Sequence, residues 1–597
     1  MSHKKIINYT SKDFDTIKSD LVDHARRYYP NSYNDFREGS FGSLIFDSVA
    51  YVGDSMSFYL DYKVNESFLD TAIEYDNVRK HAKRNGYNFY GRPSAYGIVT
   101  FYCIVPAAAS GLGPNLNYIP RIKTGTKMSS NGGSIYTLTG DVDFADPTNP
   151  VVVARVSETT GRPTSYAIRA VGQVKSGQLY RNAISIGSFQ KFRRENIGPN
   201  SINEILSVYD SEGNRYYEVE TLSQNIVYME MTNKNARNDG VKSIMKPFVV
   251  PRRFIVEQDN EGTFLVFGNG SDDEEGTQIN VADPASAAIK LTGRNYITDK
   301  AFDPSKLLDT NALGVAPQNT TINVVFSANN TDVVNVPIDS MGVITDLLYE
   351  FPDSSMIDTA IAQSVLDSFE ITNDEPIIGN TALPSSDEIK LRTYGAKASQ
   401  NRAVTRQDYE SYIYLMPAKF GSVKRAAIIN DPSSSNRRLS VYVISTDGDG
   451  NLQITNDTVK NNLKVWLNKN KMLNDSIDIY DPYIINIGFT FYVNIDQLYE
   501  KTVVLNECFN RLQRMFDNKF AIGEAMYTTD IYKELNRVEG VIDTTNVEFK
   551  VMNNLNYATS PVSLSELLSS DGTFLKTPKN AILEIKFPNL DIKGIAK

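Results

Sequence analysis

The sequence predicts a multidomain α+β protein in three parts. Residues 1–92 read as an N-terminal helical bundle arm and 93–357 as a β-rich middle region. Residues 358–597 read as C-terminal α/β modules with ferredoxin-like strand–helix layering. Three observations carry this. Apolar residues recur at helical spacing between Phe41 and Leu60; the period switches to that of strands at Ala95; and helices return after Asp358, alternating with strands. At 597 residues the chain is too long for one core, and length alone suggests about three to five domains.

The arm is organised around its second helical pattern. Phe41, Leu44, Ile45, Val49, Val52, Met56, Tyr59 and Leu60 form one broad apolar stripe. Ser43, Ala50, Gly53 and Ser57 lie among them and would let another helix approach closely. Such a stripe either packs a surface helix onto its own domain or packs partly on other chains. Ahead of it, Thr10 and Asp13 have capping-box spacing, followed at helical intervals by Phe14, Ile17, Leu21 and Ala25. A loop at Tyr29-Pro30-Asn31 separates the two patterns. A third helix over Ala72–Arg84 turns Val78 and Ala82 inward and stops at Gly86, which suits a left-handed cap.

Beyond Ala95 the run Tyr96–Val105 is a strong strand. Further β segments, split by Gly, Pro, Asn and Asp, fall at 118–127, 135–139, 151–156, 166–171, 205–209, 216–220 and 226–231. Phe254–Glu257 and Thr263–Phe267 frame Asp259-Asn260-Glu261-Gly262, a hairpin turn. Residues 276–345 continue as mixed strand and loop, with strands at 322–326 and 333–338 and a surface loop at 303–319.

The last third opens with helices at 360–369 and 386–394, then a capping box from Thr405 to Asp408. Strands at 423–429 and 439–445 precede a helix at 457–471. From Ile484 to Ile495, Ile485, Ile487, Phe489, Phe491, Val493 and Ile495 share one face, opposite Asn486, Gly488, Thr490, Tyr492 and Asn494. That alternation is a half-buried strand. A helix with Val504, Cys508, Leu512 and Met515 inward follows. Gly and Pro interrupt the patterns near 90–95 and 372–385, which are the expected hinges.

Composition narrows the function. The chain is 41% hydrophobic and 22% charged, with net charge −10. Lys191-Phe192-Arg193-Arg194 and Arg252-Arg253 are the densest cationic clusters, each with an acid nearby, so no phosphate-tracking groove and no nucleic-acid partner are expected. Cys103 and Cys508 sit far apart in apolar contexts and read as reduced core residues. No apolar run reaches membrane-spanning length and no secretion signal opens the chain, so no membrane partner and cytoplasmic synthesis are expected. His3, His24 and His81 are the only histidines. Without imidazole beyond residue 81, histidine triads and His-bearing zinc sites are removed from most of the protein.

Few motifs offer chemistry. Asp447-Gly448-Asp449-Gly450-Asn451 begins like a calcium loop, but Leu452 holds the position of its glycine and Thr458 that of its glutamate, so a turn is expected. Phe267–Gly276 is glycine-rich yet acidic and lacks the lysine of a phosphate loop. Asp47, Asp54 and Asp61 stand about 10 Å apart along a helix, too far to share an ion, and read as a solvated or partner-facing stripe. No catalytic, cofactor-binding or metal site is expected. A carboxylate-dependent cell-wall hydrolase or a host-binding adhesin are the competing classes. The first needs two carboxylates brought together in a cleft, and the second usually shows repeats or glycine-rich fibres.

The N-terminal run resembles a known family. Tyr9–Phe14, Ala50–Asp54, Phe58–Asp61, Asn65–Leu69 and Ala82–Tyr87 look like the baseplate wedge subunit of T-even-like contractile-tailed phages. Phe267-Gly268-Asn269-Gly270 and Arg402–Tyr409 are similar to the wider J-like baseplate family, which often has Asp where this chain has Asn269. The resemblance implies a structural virion protein of the tail baseplate, assembled in the host cytoplasm. It would dimerise with itself, with residues 358–597 the part expected to mediate self-association, contact other wedge subunits through the helical bundle, and meet tail tube or sheath-initiating proteins. Its wedges would join in a ring around the tube that widens on sheath contraction. Phe41, Leu44, Val52, Met56 and Tyr59 are the residues expected to carry intersubunit helix packing.

Overall fold

The structure is a computed structural model. It describes residues 13–30, 37, 39–87, 91–109, 112–233, 243–259, 261–271, 313–352, 357–381, 383–400, 402–430, 438–517, 520–553, 556–559 and 562–596. Thr10, His3, Asn31, Asn260 and most of the 303–319 loop lie outside them. The chain divides into two compact units: 1–89 with 383–402, and 90–382 with 403–597.

The first unit is helical. Helix α1 (Phe14–Tyr28) is capped by Asp13, whose carboxylate accepts from the Thr16 amide at 3.0 Å. Helix α2 (Phe41–Glu66) starts at Ser40, whose hydroxyl accepts from the Ser43 amide. Helix α3 (Tyr75–Arg84) begins later than the periodicity suggests, because the amides of Ile73 and Glu74 are held in a corner by the Glu66 side chain of α2. Gly86, at φ +91°, takes the left-handed conformation expected of it. The unit is completed by a helix from a distant part of the chain, Ser386–Ser399, which packs on α3.

The second unit is dominated by β structure. Its first sheet runs in the order Met341–Asp346, Lys127–Ser130, Ile135–Leu138, Pro163–Ser176, Tyr96–Pro106, Glu370–Thr372, with Val151–Val156 also paired to Pro163–Ser176. Tyr96–Pro106 alternates Val99, Phe101, Cys103 and Val105 into a core closed by Met128, Tyr136, Leu138 and Phe144. Where a strand over 118–127 is expected, a short turn of helix and two brief strands stand instead. Residues 333–338 form no strand, only a bridge from Val336 to Ile377. The second sheet runs Gln178–Ile186, Thr320–Ala328, Ile202–Tyr209, Arg215–Glu218, Arg253–Asp259, Gly262–Phe267, Arg194–Gly198. Its hairpin closes where the turn residues place it: the Asp259 carboxylate accepts from the amides of Glu261 and Gly262.

Two strand-and-helix layers follow. In one, Arg425–Asn430, Arg438–Thr446 and Leu452–Ile454 are antiparallel. Helix Asp457–Asn468 then carries the chain to Ser476–Tyr480, parallel to Arg438–Thr446. In the other, Tyr483–Ile495 lies between Val541–Val551 and the parallel strands Ala581–Glu584 and Ile592–Ala596. Its alternating apolar face is buried against Val504, Cys508 and Leu512. The opposite face is covered at its start: Asn486 is buried, donating to Glu584 at 2.9 Å, and only Thr490, Tyr492 and Asn494 are half-exposed.

Both expected hinges change in part. Ser94 and Ala95 are fully buried, the Gly91 amide donates to Gln258, and Asn380 donates to the Pro93 carbonyl. Ile377 and Ile378 are buried as well. Both 91–95 and 377–380 are built into the second unit, so a pivot there would have to break a packed core.

Candidate assembly interface

Helix α2 has two unlike sides. The small-residue side faces α1: Ser43 and Ala50 are buried, and a Cβ on Gly53 would lie 3.2 Å from the Ile17 side chain. Gly53 therefore sets how closely the helices approach. Lys18 pairs with Asp47 at 2.7 Å. The acidic row read as solvated or partner-facing is half-buried at Asp47, Asp54 and Asp61, and its first member is engaged within the chain.

The other side carries the large residues, and they are uncovered. Phe41, Leu44, Val52, Met56 and Tyr59 are between 55% and 78% exposed. Ile45, Val49, Tyr51, Phe58 and Leu60 are exposed beside them. Tyr51 and Phe58 fall outside the stripe the spacing defines; they widen it because the stripe wraps part of the helix circumference. Phe58 stacks on Tyr62 with ring centres 6.5 Å apart, which holds its edge of the surface in place. Ten large apolar side chains on one helix exceed the scattered singles of an ordinary surface. Within the structure, the five expected packing residues are brought onto one helix and left without cover from the described residues of their own chain.

The corner after α2 positions this face. Glu66 is buried, and its carboxylate accepts from the Ile73 amide at 2.7 Å, the Asn77 side chain at 2.9 Å and the Glu74 amide at 3.3 Å. The ring Nε2 of His81 contacts the Glu66 carbonyl at 2.9 Å, and the Thr71 hydroxyl donates to the Asn65 carbonyl. Burial on its own would raise the Glu66 pKa; the three donors outweigh it and hold the carboxyl below its ordinary 4.5. A carboxyl depressed in the folded state stabilises it above the unfolded value, and that stabilisation is lost as pH falls through the folded value. The helical unit is therefore expected to loosen on acidification below about pH 4.5. Glu66→Gln should cost about 1.5–3 kcal/mol at neutral pH and flatten that acid limb, read by circular dichroism with denaturant. Sequence reading passed over Glu66 because a lone carboxylate at a helix end looks like surface. Its signal was the helix-ending Asn65-Glu66 pair followed by a short loop.

Elsewhere the chemical motifs are absorbed by structure. Asp447 accepts from the amides of Asp449 and Asn451, closing a turn on itself. No group of three or more His, Cys, Asp or Glu that could hold a metal occurs among the described residues. Arg253 is buried and donates to the carbonyls of Leu222 and Val250, while Arg194 pairs with Asp259 and Arg193 with Glu195. No helix among the described residues is long and apolar enough to cross a membrane.

Comparison with known proteins bears on the arm. Residues 13–84, from the cap of α1 to the last residue of α3, match the family model described as "Bacteriophage baseplate protein, N-terminal domain". Among solved structures, the chain is similar to one in the cryo-EM structure of the anti-feeding prophage (AFP) baseplate. That match has 10% identity and a TM-score of 0.25, covering 95% of this chain and 90% of the other. Another is in the type VI secretion system TssK-TssF-TssG baseplate subcomplex, at 8% identity and a TM-score of 0.24, covering 74% of this chain and 96% of the other. Comparison with curated proteins gives no match.

Proposed function

We propose that this chain is a structural protein of a contractile-tail baseplate. More particularly, it serves as a wedge subunit: it dimerises, binds other wedge subunits and tail tube or sheath-initiating proteins, and links wedges into a ring that widens on sheath contraction. One observation carries this reading above the rest. The segment matching a baseplate N-terminal domain contains a 26-residue helix with ten exposed large apolar side chains, from Phe41 to Leu60. Left in water, such a face costs roughly 25 cal/mol for each Å² that a partner could cover. A permanent contact burying ~2,000 Å² or more would remove that cost and supply assembly energy without chemistry. The protein is accordingly not an enzyme, needs no cofactor, and resides in the virion tail. The experiment is light scattering on the full chain, alone and mixed with purified wedge components. Dimers alone and rings only in the mixture are expected; a monomer that ignores every wedge component would overturn the proposal.

A further inference from the structure

The helical unit is built from two distant stretches of chain, 1–89 and 383–402, and the second supplies the helix Ser386–Ser399 that packs on α3. We infer that this helix is a releasable clasp within the helical unit: it undocks from α3 while α1 and α2 stay folded.

The contact has the make-up of something that opens. Its apolar part is small: Ile389 is buried on the clasp, with Val78 and Ala82 buried on α3. Polar pins do much of the rest. Lys390 donates to the Asp70 carbonyl at 3.2 Å, the Tyr394 hydroxyl donates to the Asp70 carboxylate, and Arg392 donates to the hydroxyl of buried Tyr87. Leu391 and Tyr394 remain largely exposed. Segments with few buried apolar contacts occupy the low-stability end of a structure and open first.

The clasp also behaves as one piece. A 14-residue helix is marginal in water by itself, so once undocked it loses its form as well as its contacts. Its C-terminal end holds Gln400 at φ +46°, a left-handed conformation that side chains other than glycine rarely adopt. The capping box of Ser385 and Glu388 favours re-forming the helix at its start. Tethering at both ends keeps its effective concentration beside α3 high, so release is reversible.

This inference rests on contacts within the helical unit and stands whether or not the baseplate reading holds. The test is hydrogen exchange on the full-length protein, wild type against a variant carrying Arg392→Ala and Tyr394→Phe. Exchange of 386–399 should quicken at least tenfold, alone or together with 75–87, while 14–28, 41–66 and the strand Tyr483–Ile495 stay within twofold. Two results would overturn it. One is no change at 386–399. The other is loss of protection throughout 14–66, which would make the helix an ordinary core member. Trypsin cleavage at Lys390 and Lys397 in native protein gives an independent reading: it should quicken in the variant, and equal rates in both proteins would also count against release.

Discussion

Changing Val52 and Met56 together to Asp should, on the proposed reading, abolish co-purification with a wedge partner while leaving the chain folded. Both side chains are more than half exposed, so the isolated protein loses little packing. The stability change should stay within about 1 kcal/mol, in line with surface substitutions and a modest helix-propensity penalty. The assembled state differs. Carboxylates placed at the centre of an apolar contact lose water without gaining partners, at a cost of about 3–5 kcal/mol for an unpaired buried charge. Even one such penalty weakens binding by ~150- to 4,000-fold. Ala50→Asp is the matching control, because Ala50 lies on the covered side against α1. That variant should disrupt the helical unit itself, visible as lost helical dichroism in the free chain. Normal complex formation by the Val52→Asp, Met56→Asp protein would refute the assignment of this face.

The contrast between those variants shows what the sequence makes legible. Helical spacing places Phe41, Leu44, Val52, Met56 and Tyr59 on one stripe, but spacing does not say which side of a helix its own chain covers. The chain covers the small side, since Gly53 and Ala50 admit Ile17 and its neighbours closely while the bulky side would hold α1 further off. The strand Tyr483–Ile495 is legible because one alternation decides both its form and its buried face. The helix Ser386–Ser399 is legible in part, as a helix over 386–394, but not as part of the arm. Of its residues only Ile389, Thr393, Gly395 and Ser399 are buried, and just one of those is a large apolar side chain. A contact between residues so distant in sequence, made largely by polar side chains, leaves no periodic trace.

Gly268→Ala should be among the most damaging single substitutions in the second unit, although it adds one methyl group. A Cβ at Gly268 would lie 2.0 Å from the Gly314 carbonyl oxygen, 2.5 Å from its carbon and 2.5 Å from the Leu313 oxygen. All three are backbone atoms, so no side chain can turn aside. Moving 313–315 away would strain the bonds that seat them: Gly270 amide to Gly314 carbonyl at 3.0 Å, Ala316 amide to Gly270 carbonyl at 2.9 Å, and Val315 amide to Pro251 carbonyl at 3.0 Å. Gly314 cannot retreat toward Arg253, whose Cγ is already 2.8 Å from where its own Cβ would stand. Overpacking and two or three lost hydrogen bonds together cost about 3–5 kcal/mol. The glycine turn is thus explained by close backbone approach beside the buried ring of Phe267, with no ligand required. Gly187→Ala supplies the comparison: its Cβ would meet nothing within 4 Å, so its effect should stay within about 1 kcal/mol. Amide exchange in Gly262–Phe267 should quicken by ~100-fold or more in Gly268→Ala, and change little in Gly187→Ala. Equal exchange in the two variants would mean that the packing of 268 against 314 contributes nothing to holding this sheet together.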